Sequence, residues 1–568
     1  MPRPVSSAES PTGRPCRQRL PRTARAHLAF PRALLLVLLL VAGGCAGGAP
    51  TGRAPAAGGE SPADSVAGVW ITLLHTNDIH GAYAARPAEW LPGKPLVGGF
   101  AALAGTVAAI RDAGPAILID AGDLMAGTPL TSIEYGGVPG GGAMAFMNAV
   151  GYDAMALGNH EFDLGRQAIL GLIGLAEFPI LCANLVTAAS GEQFAPAGHV
   201  ILERAGVKVA VIGLILDELA SVVAAEPIAG LTVVPAIEAA RDEVAALDAQ
   251  SDIIVAVTHM GLEPSRAIAR AVPGIDIIVT GHDHRRTDEP ILDSGVLIVE
   301  TGSRLERLGR LDLKVAGDRV VDHRFALLDL PAAAAERAPA AVTALATELD
   351  ARIQAEYGRV VAEVAVPLVR DSSRESNIGN WITDAFRAET GADFAVTNST
   401  GIRADAAAGP LTRFEIHSIS PFPNSLCTFR ASGEQILAFA RKNALKAVGR
   451  GDGERAIVQV SGLAYSYGPD GAVSDLRVGG RPVEPGRIYV GATSDFIAVS
   501  QADKYLGFEP AGIQSTGRLI FDVLCDAAVR TSPIAARVEG RMQPLAEDGA
   551  ARPAPAGTAE PAGMSGGR

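Results

Sequence analysis

The sequence predicts an α/β protein in which two domains are joined by a helix. Its 568 residues, 48% of them hydrophobic, are enough for two ordinary domains that each bury a core of their own. Between residues 69 and 315, apolar β-rich runs such as 116–120, 207–213 and 252–257 alternate with alanine-rich helical segments. Strands that lack a polar face and alternate with helices indicate a sheet that is covered on both sides.

Residues 1–45 have the features of an export signal that ends in a lipoprotein-type cysteine. Seven arginines precede an apolar run at 33–42, which is too short to persist as a membrane anchor. The small residues 42–44 before Cys45 are similar to the cleavage box of bacterial lipoproteins, and Cys45 would then be acylated and hold the protein at a membrane. An ordinary signal peptide cleaved near the same small residues is the alternative. Both interpretations predict an exported protein.

The ends of the exported chain differ in composition from the predicted domains. Residues 46–67 and 546–568 are rich in glycine, alanine and proline, and predict a flexible tether and a disordered tail. Loss of residues 1–44, which carry seven arginines and one glutamate, lowers the formal net charge from −13 to −19. Such an acidic protein is poorly suited to bind nucleic-acid polymers, because phosphate backbones are bound through clustered lysine and arginine.

Histidine, asparagine and aspartate recur in five short runs, each placed where an apolar strand gives way to a glycine-rich turn. The runs occupy residues 75–81, 119–123, 157–163, 257–261 and 280–284. Ligands gather at the carboxyl ends of strands in layered α/β domains, so we expect the runs to meet there. Two cations about 3.5–4 Å apart can bind both the attacking water and phosphate oxygens, which predicts a two-metal phosphoesterase site. Imidazole and carboxylate ligands without thiolate suit Zn, Mn, Co or Fe, so the identity of the metal is not determined by the sequence.

The order and chemistry of these runs resemble those of the calcineurin-like metallophosphatases. Together with the second domain they resemble the bacterial 5′-nucleotidase family over residues 68–545. The resemblance implies a layered β-sandwich flanked by helices at 68–330, a linker helix at 331–358 and a second, nucleotide-binding α/β domain at 359–545.

The same resemblance assigns roles to the polar residues of the five runs. It implies that His160 and Asp163 form a dyad that stabilises the transferring phosphoryl group or protonates the departing alkoxide, while water activated by the metals attacks. The implied metal ligands are Asp78, His80 and His284 at one ion and Asn159, His259 and His282 at the other, with Asp123 bridging both. His75 is interpreted as a support of its loop. Three further histidines are interpreted as ordinary hydrogen-bonded residues: His199, His323 and His417.

Four runs in the second domain follow the order of the 5′-nucleotidase C-terminal domain. They occupy residues 375–385, 397–403, 420–424 and 460–463. The resemblance implies that the following residues contact the substrate, the two phenylalanines as an aromatic clamp: Arg403, Phe422, Asn424, Phe496 and Asp503. This domain departs from the family pattern at three places. Ser372 stands where the family often has an arginine, residues 500–505 replace a usual Gly-Gly-Asp-Gly run, and residues 399–401 replace the paired glycines that usually precede the Ile-Arg pair. Core packing is the alternative role of the phenylalanines.

These features together predict an extracytoplasmic two-metal phosphohydrolase, namely a 5′-nucleotidase that acts on nucleoside monophosphates. Nucleotide sugars and 2′,3′-cyclic nucleotides are the alternative substrates within this class. A nucleotide-binding surface lipoprotein without turnover is the alternative of another class, and it is disfavoured by the intact ligand set and dyad. The oligomeric state is left open by the sequence.

Overall fold

The computed structural model describes residues 67–88, 90–451 and 456–545. The predicted export signal with Cys45, nearly all of the tether and the tail lie outside these residues. Among the helices that the structure describes, none has both the length and the hydropathy needed to cross a bilayer.

The first domain consists of strands that form two large sheets and of helices that pack on their outer faces. Its strands are β1 Val69–Thr76, β2 Arg86–Pro87, β3 Leu96–Val97, β4 Ala116–Asp120, β5 Glu134–Tyr135, β6 Val138–Pro139, β7 Ala154–Ala156, β8 Ile180–Leu181, β9 Leu185–Thr187, β10 His199–Arg204, β11 Val207–Ile215, β12 Leu231–Val233, β13 Ile253–His259, β14 Ile277–Gly281, β15 Ile291–Asp293, β16 Val296–Val299, β17 Arg307–Val315 and β18 Val320–Asp329. Its helices are α1 Phe100–Ala113, α2 Gly141–Val150, α3 Arg166–Leu175, α4 Ala236–Leu247 and α5 Leu262–Ala271.

Each large sheet has six strands, and the strands that carry the polar runs are parallel. The first sheet has the order β18-β17-β1-β4-β7-β8, and the second has the order β10-β11-β13-β14-β16-β15. Strands β1, β4, β7 and β8 are mutually parallel, as are β11, β13, β14 and β16. Their carboxyl ends therefore lie at one edge of each sheet.

Alternating side chains of the central strands enter two different apolar layers. In β1, Leu73 packs between the two sheets, whereas its neighbour Leu74 packs under the helices. Strand β4 repeats the pattern with Ile117 between the sheets and Leu118 under the helices. Burial of both faces explains the uniformly apolar strands, since each buried leucine or isoleucine contributes about 1.5–3 kcal/mol. The predicted layered β-sandwich flanked by helices is confirmed.

The segment after β18 packs on the first domain. It contains a short 3-10 turn, Ala332–Arg337, and then the helix α6, Ala340–Tyr357. Val342, Leu349 and Ile353 on α6 are fully buried in the core under the helices of the first domain. The helix therefore extends that core in addition to connecting the two domains.

The second domain is also a mixed α/β structure. Its strands are β19 Val360–Val364, β20 Phe394–Asn398, β21 Gly409–Thr412, β22 Ser425–Ser432, β23 Val458–Ser461, β24 Leu463–Tyr467, β25 Val473–Val478, β26 Arg481–Pro482, β27 Ile488–Ser494, β28 Ala511–Leu519 and β29 Met542–Pro544. Its helices are α7 Asn377–Thr390, α8 Arg413–Ile419, α9 Gly433–Ala447, α10 Ala502–Tyr505 and α11 Ile520–Thr531. The main sheet has the order β23-β20-β27-β22-β28.

Side chains of the second domain contact the first domain directly. The Nε2 atom of His417 lies 2.8 Å from the hydroxyl oxygen of Ser132. Gln501 donates from its side-chain amide to the carbonyl of Ala220 at 2.9 Å. These contacts place residues 398–424 and 496–505 of the second domain over the carboxyl ends of the parallel strands.

Candidate metal centre and active site

The turns that follow the parallel strands hold several candidate ligands in the left-handed region of backbone conformation. Five of the seven predicted metal ligands have positive φ: Asp78 (50°), His80 (50°), Asp123 (60°), His282 (97°) and His284 (55°). Residues other than glycine adopt this conformation rarely, at a cost of about 1–3 kcal/mol each. Such strain is typical of functional sites, where the surrounding structure imposes it to aim a side chain.

A glycine and a glutamate bring two of these turns together. A Cβ atom on Gly158 would lie only 2.3 Å from Asp123 Oδ1, so the close approach of the turns requires glycine there. The buried carboxylate of Glu161 accepts hydrogen bonds from backbone N–H groups of both turns: Asp123 at 3.1 Å, Leu124 at 2.8 Å, Met125 at 3.2 Å and Gly158 at 2.7 Å. Sequence analysis did not single out Glu161, although it lies within the run 157–163.

The first group of candidate ligands comprises Asp78, His80 and His284. The Nε2 atoms of the two histidines are 3.0 Å apart, and Asp78 Oδ1 lies 3.3 Å from His284 Nε2. The His80 ring donates from Nδ1 to the carbonyl of Met125 at 2.9 Å. A backbone carbonyl can only accept, so in the neutral ring the lone pair is on Nε2, which faces the group.

The second group comprises Asp123, His259 and His282, with Asn159 beside it. His259 donates from Nδ1 to the carbonyl of Ala121 at 2.7 Å, which again leaves the lone pair on Nε2. Asp123 Oδ2 lies 3.1 Å from His259 Nε2, and Asn159 Oδ1 lies 2.9 Å from His282 Nδ1. All seven predicted ligands are therefore brought into two adjacent groups.

These groups fit divalent cations. His259 Nε2 is fully buried and, although Asp123 Oδ2 lies 3.1 Å away, it makes no well-directed hydrogen bond within the described residues, which is costly unless another group satisfies it. Burial lowers the pKa of His259, but the carboxylate of Asp123 outweighs this effect and raises the pKa to about 10. The site thus favours positive charge at this position. Imidazole nitrogens with carboxylate and amide oxygens are the donors that divalent transition metals bind.

The predicted dyad lies beside the second group. His160 Nδ1 is 2.7 Å from Asp163 Oδ2, and His160 Nε2 is 3.9 Å from Asp123 Oδ2. Burial lowers the pKa of His160, but the carboxylates of Asp163 and Asp123 outweigh it, so the pKa is raised overall. The ring of Phe422 stacks on His160 with centroids 5.7 Å apart. A phenylalanine of the second domain therefore covers the dyad.

One cavity of about 370 Å³ joins the candidate metal ligands to the second domain. The sequence-predicted residues that line it are Asp123, Asn159, His160, Asp163, His282, His284, Arg403, Phe422, Asn424 and Phe496. Arg403 Nη2 lies 3.2 Å from His80 Nε2, and burial lowers the pKa of the arginine. Phe422 and Phe496 are both half-buried, so neither is a fully enclosed core residue.

Asp503 is the predicted substrate residue that the structure does not bring to this cavity. It lies on α10 with an exposed side chain, and its carbonyl accepts a hydrogen bond from Lys442 at 2.7 Å. The helical turn instead presents the next two residues, Lys504 and Tyr505, to the cavity. The altered run 500–505 forms a helical turn that leaves Asp503 exposed, so its contact with substrate stays a prediction.

The other histidines of the described residues lie outside the two ligand groups. His75 is completely buried, and a Cβ atom at Gly309 would lie 2.0 Å from its ring. Burial lowers the pKa of His75 to about 3. His199 lies 2.5 Å from Glu243, His417 contacts Ser132, and His323 is exposed.

Comparisons with known proteins agree with this arrangement. Residues 71–286 match the model of the calcineurin-like phosphoesterases, and residues 360–507 match that of the 5′-nucleotidase C-terminal domain. The chain is 27% identical to a 5′-nucleotidase of Vibrio cholerae, with 82% of this chain and 91% of the relative covered. It is 28% identical to the protein UshA of Escherichia coli, with 82% and 92% covered.

Solved structures show the same two-domain architecture. A 5′-nucleotidase precursor from Thermus thermophilus superposes with a TM-score of 0.74 at 27% identity, over 84% of this chain and all of that chain. The sulfate thiohydrolase SoxB of the same organism shares the fold, with a TM-score of 0.69 at 22% identity, over 84% of this chain and 97% of that chain. The chain therefore combines a calcineurin-like phosphoesterase domain with a 5′-nucleotidase C-terminal domain, as its relatives named 5′-nucleotidase do, and is a metal-dependent phosphoric ester hydrolase.

Proposed function

We propose that the protein is a 5′-nucleotidase that uses two divalent metal ions to release phosphate from nucleoside monophosphates. The observation that carries this proposal is the cavity of about 370 Å³ at the candidate metal centre. It brings candidate metal ligands, the dyad and two half-buried phenylalanines of the second domain together. A phosphate at the metal centre would thus leave the attached nucleoside within reach of the aromatic rings.

In this proposal one ion would be held by Asp78, His80 and His284. The other would be held by Asn159, His259 and His282, and Asp123 would contribute to both. Two such ions would neutralise charge on the phosphate and lower the pKa of bound water. The backbone carbonyls that accept from His80 and His259 orient these rings and, in the neutral form that a metal binds, place the lone pair on Nε2.

The dyad holds the proton that the reaction needs. Asp163 accepts from His160 Nδ1, which orients the ring so that its Nε2 atom faces the cavity. The raised pKa of His160 favours the imidazolium form, whose Nε2–H can be donated to the oxygen of the departing nucleoside. Arg403 contributes a positive charge against the phosphate oxygens.

Phe422 and Phe496 would bind the base. Aromatic faces stack on any nucleobase, at about 1–3 kcal/mol per base, and so select nucleosides without fixing which one. Asn424 also lines this part of the cavity and can hydrogen-bond the ribose or the base.

Phosphate release from AMP by purified protein tests the function. Full activity is expected with added Mn, Co or Zn, loss with EDTA, and recovery when metal is restored. Activity that persists in EDTA would contradict the two-metal proposal. Parallel assays with a nucleotide sugar and a 2′,3′-cyclic nucleotide identify which alternative holds if AMP is not hydrolysed.

We further propose that the protein is exported and anchored through Cys45, on the basis of the sequence features of residues 1–45. Acylated protein should fractionate with membranes, and the variant Cys45→Ala should be recovered in the soluble extracytoplasmic fraction. Membrane association of that variant after a salt wash would exclude the lipid anchor.

A further inference from the structure

The segment 300–302, which follows β16, packs against the turn at 282–287, which carries two of the candidate metal ligands. Glu300 is completely buried in this segment. The backbone N–H of Thr287 donates to the carbonyl of Glu300 at 3.0 Å, and the backbone N–H of Glu300 donates to Thr287 Oγ1 at 2.9 Å. These bonds fix the backbone of Glu300 against the far end of the turn.

The side chain of Glu300 reaches the middle of the same turn. Its Oε1 atom accepts from the backbone N–H of Arg285 at 2.7 Å. Its Oε2 atom is buried and receives no hydrogen bond from a donor within the described residues. The carboxyl group of Asp283 lies within hydrogen-bonding reach of the carboxyl group of Glu300. Because two carboxyl groups form a hydrogen bond only if one of them carries a proton, this pair needs one proton.

The surroundings favour the proton on Glu300. Burial, and then the carboxylates of Asp283 and Asp78, raise the pKa of Glu300 to about 10. Asp283 is better supplied with donors, since its Oδ2 atom accepts from the backbone N–H of Leu262 at 3.2 Å and lies 3.1 Å from Arg285 Nε. Glu300 therefore accepts a hydrogen bond with one oxygen and can donate one to Asp283 with the other.

The next two residues hold the turn that carries Asp78. Both the backbone N–H and the hydroxyl of Thr301 donate to Asn77 Oδ1, at 2.9 and 2.7 Å. The side-chain amide of Asn77 donates in turn to the carbonyl of Gly302 at 2.6 Å and to Asp78 Oδ2 at 2.7 Å. Asp78 follows a strand of the first sheet, whereas the turn at 282–287 follows a strand of the second. One short segment therefore holds ligand turns from both sheets.

We propose that Glu300 is a positioning residue of the metal centre. Its side chain joins Asp283 to the backbone of Arg285 and so fixes the turn. The two ligands on this turn, His282 and His284, have positive φ values of 97° and 55°, a conformation that persists only where the surroundings impose it. The binding of two ions at these ligands rests on the proposed function, whereas the support of the turn by Glu300 does not.

Two substitutions of Glu300 separate its hydrogen bonds from its charge and its volume. Glu300→Gln keeps an acceptor for the N–H of Arg285 and a donor toward Asp283, and it is uncharged. Glu300→Leu has a similar volume but makes neither bond. Glu375→Leu is the matched control, because Glu375 is a buried glutamate of the second domain that accepts from the backbone N–H of Glu539 at 2.8 Å.

The test measures metal affinity by competition of the metal-loaded protein with a chelator, followed by metal analysis. Glu300→Leu should weaken metal binding about 10–100-fold, the usual contribution of a group that orients a metal ligand, and Glu300→Gln should keep the wild-type affinity. Glu375→Leu should lower the melting temperature and leave the metal affinity as in the wild type. Asp283→Ala removes the other partner at a half-buried position and should weaken metal binding in the same range as Glu300→Leu, so the test does not depend on the folding of one variant.

Wild-type metal affinity in both Glu300→Leu and Asp283→Ala overturns the proposal. Equal weakening in Glu300→Gln and Glu300→Leu also overturns it, because a carboxylate charge would then be required instead of the two hydrogen bonds. A similar loss of affinity in Glu375→Leu would attribute the effect to general destabilisation and has the same consequence. If the affinities change as expected but the wild-type protein does not hydrolyse AMP, the positioning role of Glu300 stands and the proposed nucleotidase function fails.

Discussion

His160 is placed to move a proton without serving as a metal ligand. Its Nδ1 atom is occupied by Asp163 at 2.7 Å, and its Nε2 atom is 3.9 Å from Asp123, beyond hydrogen-bond distance. The ring of the neighbouring His259 is oriented differently. Its Nδ1 atom donates to a backbone carbonyl, and its Nε2 atom faces the second ligand group. Two histidines near one carboxylate thus have different chemistry.

We expect His160→Ala to lower kcat by about 10²–10⁴-fold, the usual contribution of a positioned acid or base. The metal content should stay at the wild-type value, because the ligand groups do not include His160. Steady-state kinetics with metal analysis of the same preparation checks both expectations. A parallel loss of bound metal would make His160 a ligand instead.

Phe422 contributes an aromatic face above the dyad. We expect Phe422→Ala to raise KM for AMP about 5- to 150-fold, which corresponds to about 1–3 kcal/mol of lost base stacking. Hydrolysis of p-nitrophenyl phosphate, which has no nucleobase, is the control substrate. If KM for both substrates rises equally, the ring packs against His160 without binding a base.

At the scale of elements, the ends of β4 and β7 must approach closely for the ligand groups to form. Gly158 after β7 contacts the turn after β4 so tightly that a Cβ atom would lie 2.4 Å from the backbone nitrogen of Asp123. Glu161 then bonds the N–H groups of both turns. The bridging position of Asp123 therefore depends on two residues that are not ligands.

We expect Gly158→Ala to weaken metal binding at least tenfold, because the turn must move by several tenths of an ångström to relieve the contact. The matched control is Gly174→Ala on α3, where a Cβ atom meets nothing within 4 Å. That exposed helical position should gain about 0.5–1 kcal/mol of stability. Each variant is titrated with metal while its activity is measured, and the metal affinities obtained in this way distinguish the two variants. Equal metal affinity of Gly158→Ala and the wild type would contradict the close-packed turn.

At the scale of the whole molecule, His417 lies where the two domains and α6 meet. Its ring contacts Ser132 of the first domain, Tyr357 of α6 and Phe521 of α11. Burial lowers the pKa of His417 to about 4, against the opposing effect of the Gly127 backbone carbonyl, which favours the protonated ring. Protonation of this ring is therefore unfavourable in the folded protein.

The sign of the resulting pH dependence follows from proton binding. Between pH 6.5 and about 4 the unfolded chain binds a proton at His417 that the folded protein does not. Stability is therefore lost as the pH falls through this window, by an amount on the order of 3 kcal/mol. Above pH 6.5 the histidine is neutral in both states and contributes no pH dependence.

We expect His417→Gln to reduce the fall in melting temperature between pH 7 and pH 5, because glutamine stays neutral throughout. His323→Gln, at an exposed position of β18, is the control and should melt with the pH dependence of the wild type. Calorimetry at matched metal concentration measures both. An identical pH dependence for His417→Gln and the wild type would show that this buried ring does not titrate in the window.

Much of the first domain could be predicted from sequence because its signals are local. Uniformly apolar strands that alternate with helices determined the layered α/β architecture, and polar residues after those strands indicated where ligands would gather. His80 follows a strand of the first sheet and His282 follows a strand of the second, yet the two turns meet, since the backbone N–H of His282 donates to Asp78 Oδ1 at 3.2 Å. The resemblance to a known family then supplied the ligand set and the substrate residues.

Tertiary structure alone decided how the two domains meet. No local pattern indicates that Arg86 and Arg304 of the first domain lie beside Arg370 of the second, since arginine is common on surfaces and has no required spacing. The helical turn that exposes Asp503 and brings Tyr505 to the cavity could likewise not be predicted from the sequence, because it arises in a short irregular segment. The chemistry of the metal centre was thus determined by the sequence, through strand ends and residue types. The electrostatic surroundings of the substrate depend on long-range docking, which sequence periodicity does not encode.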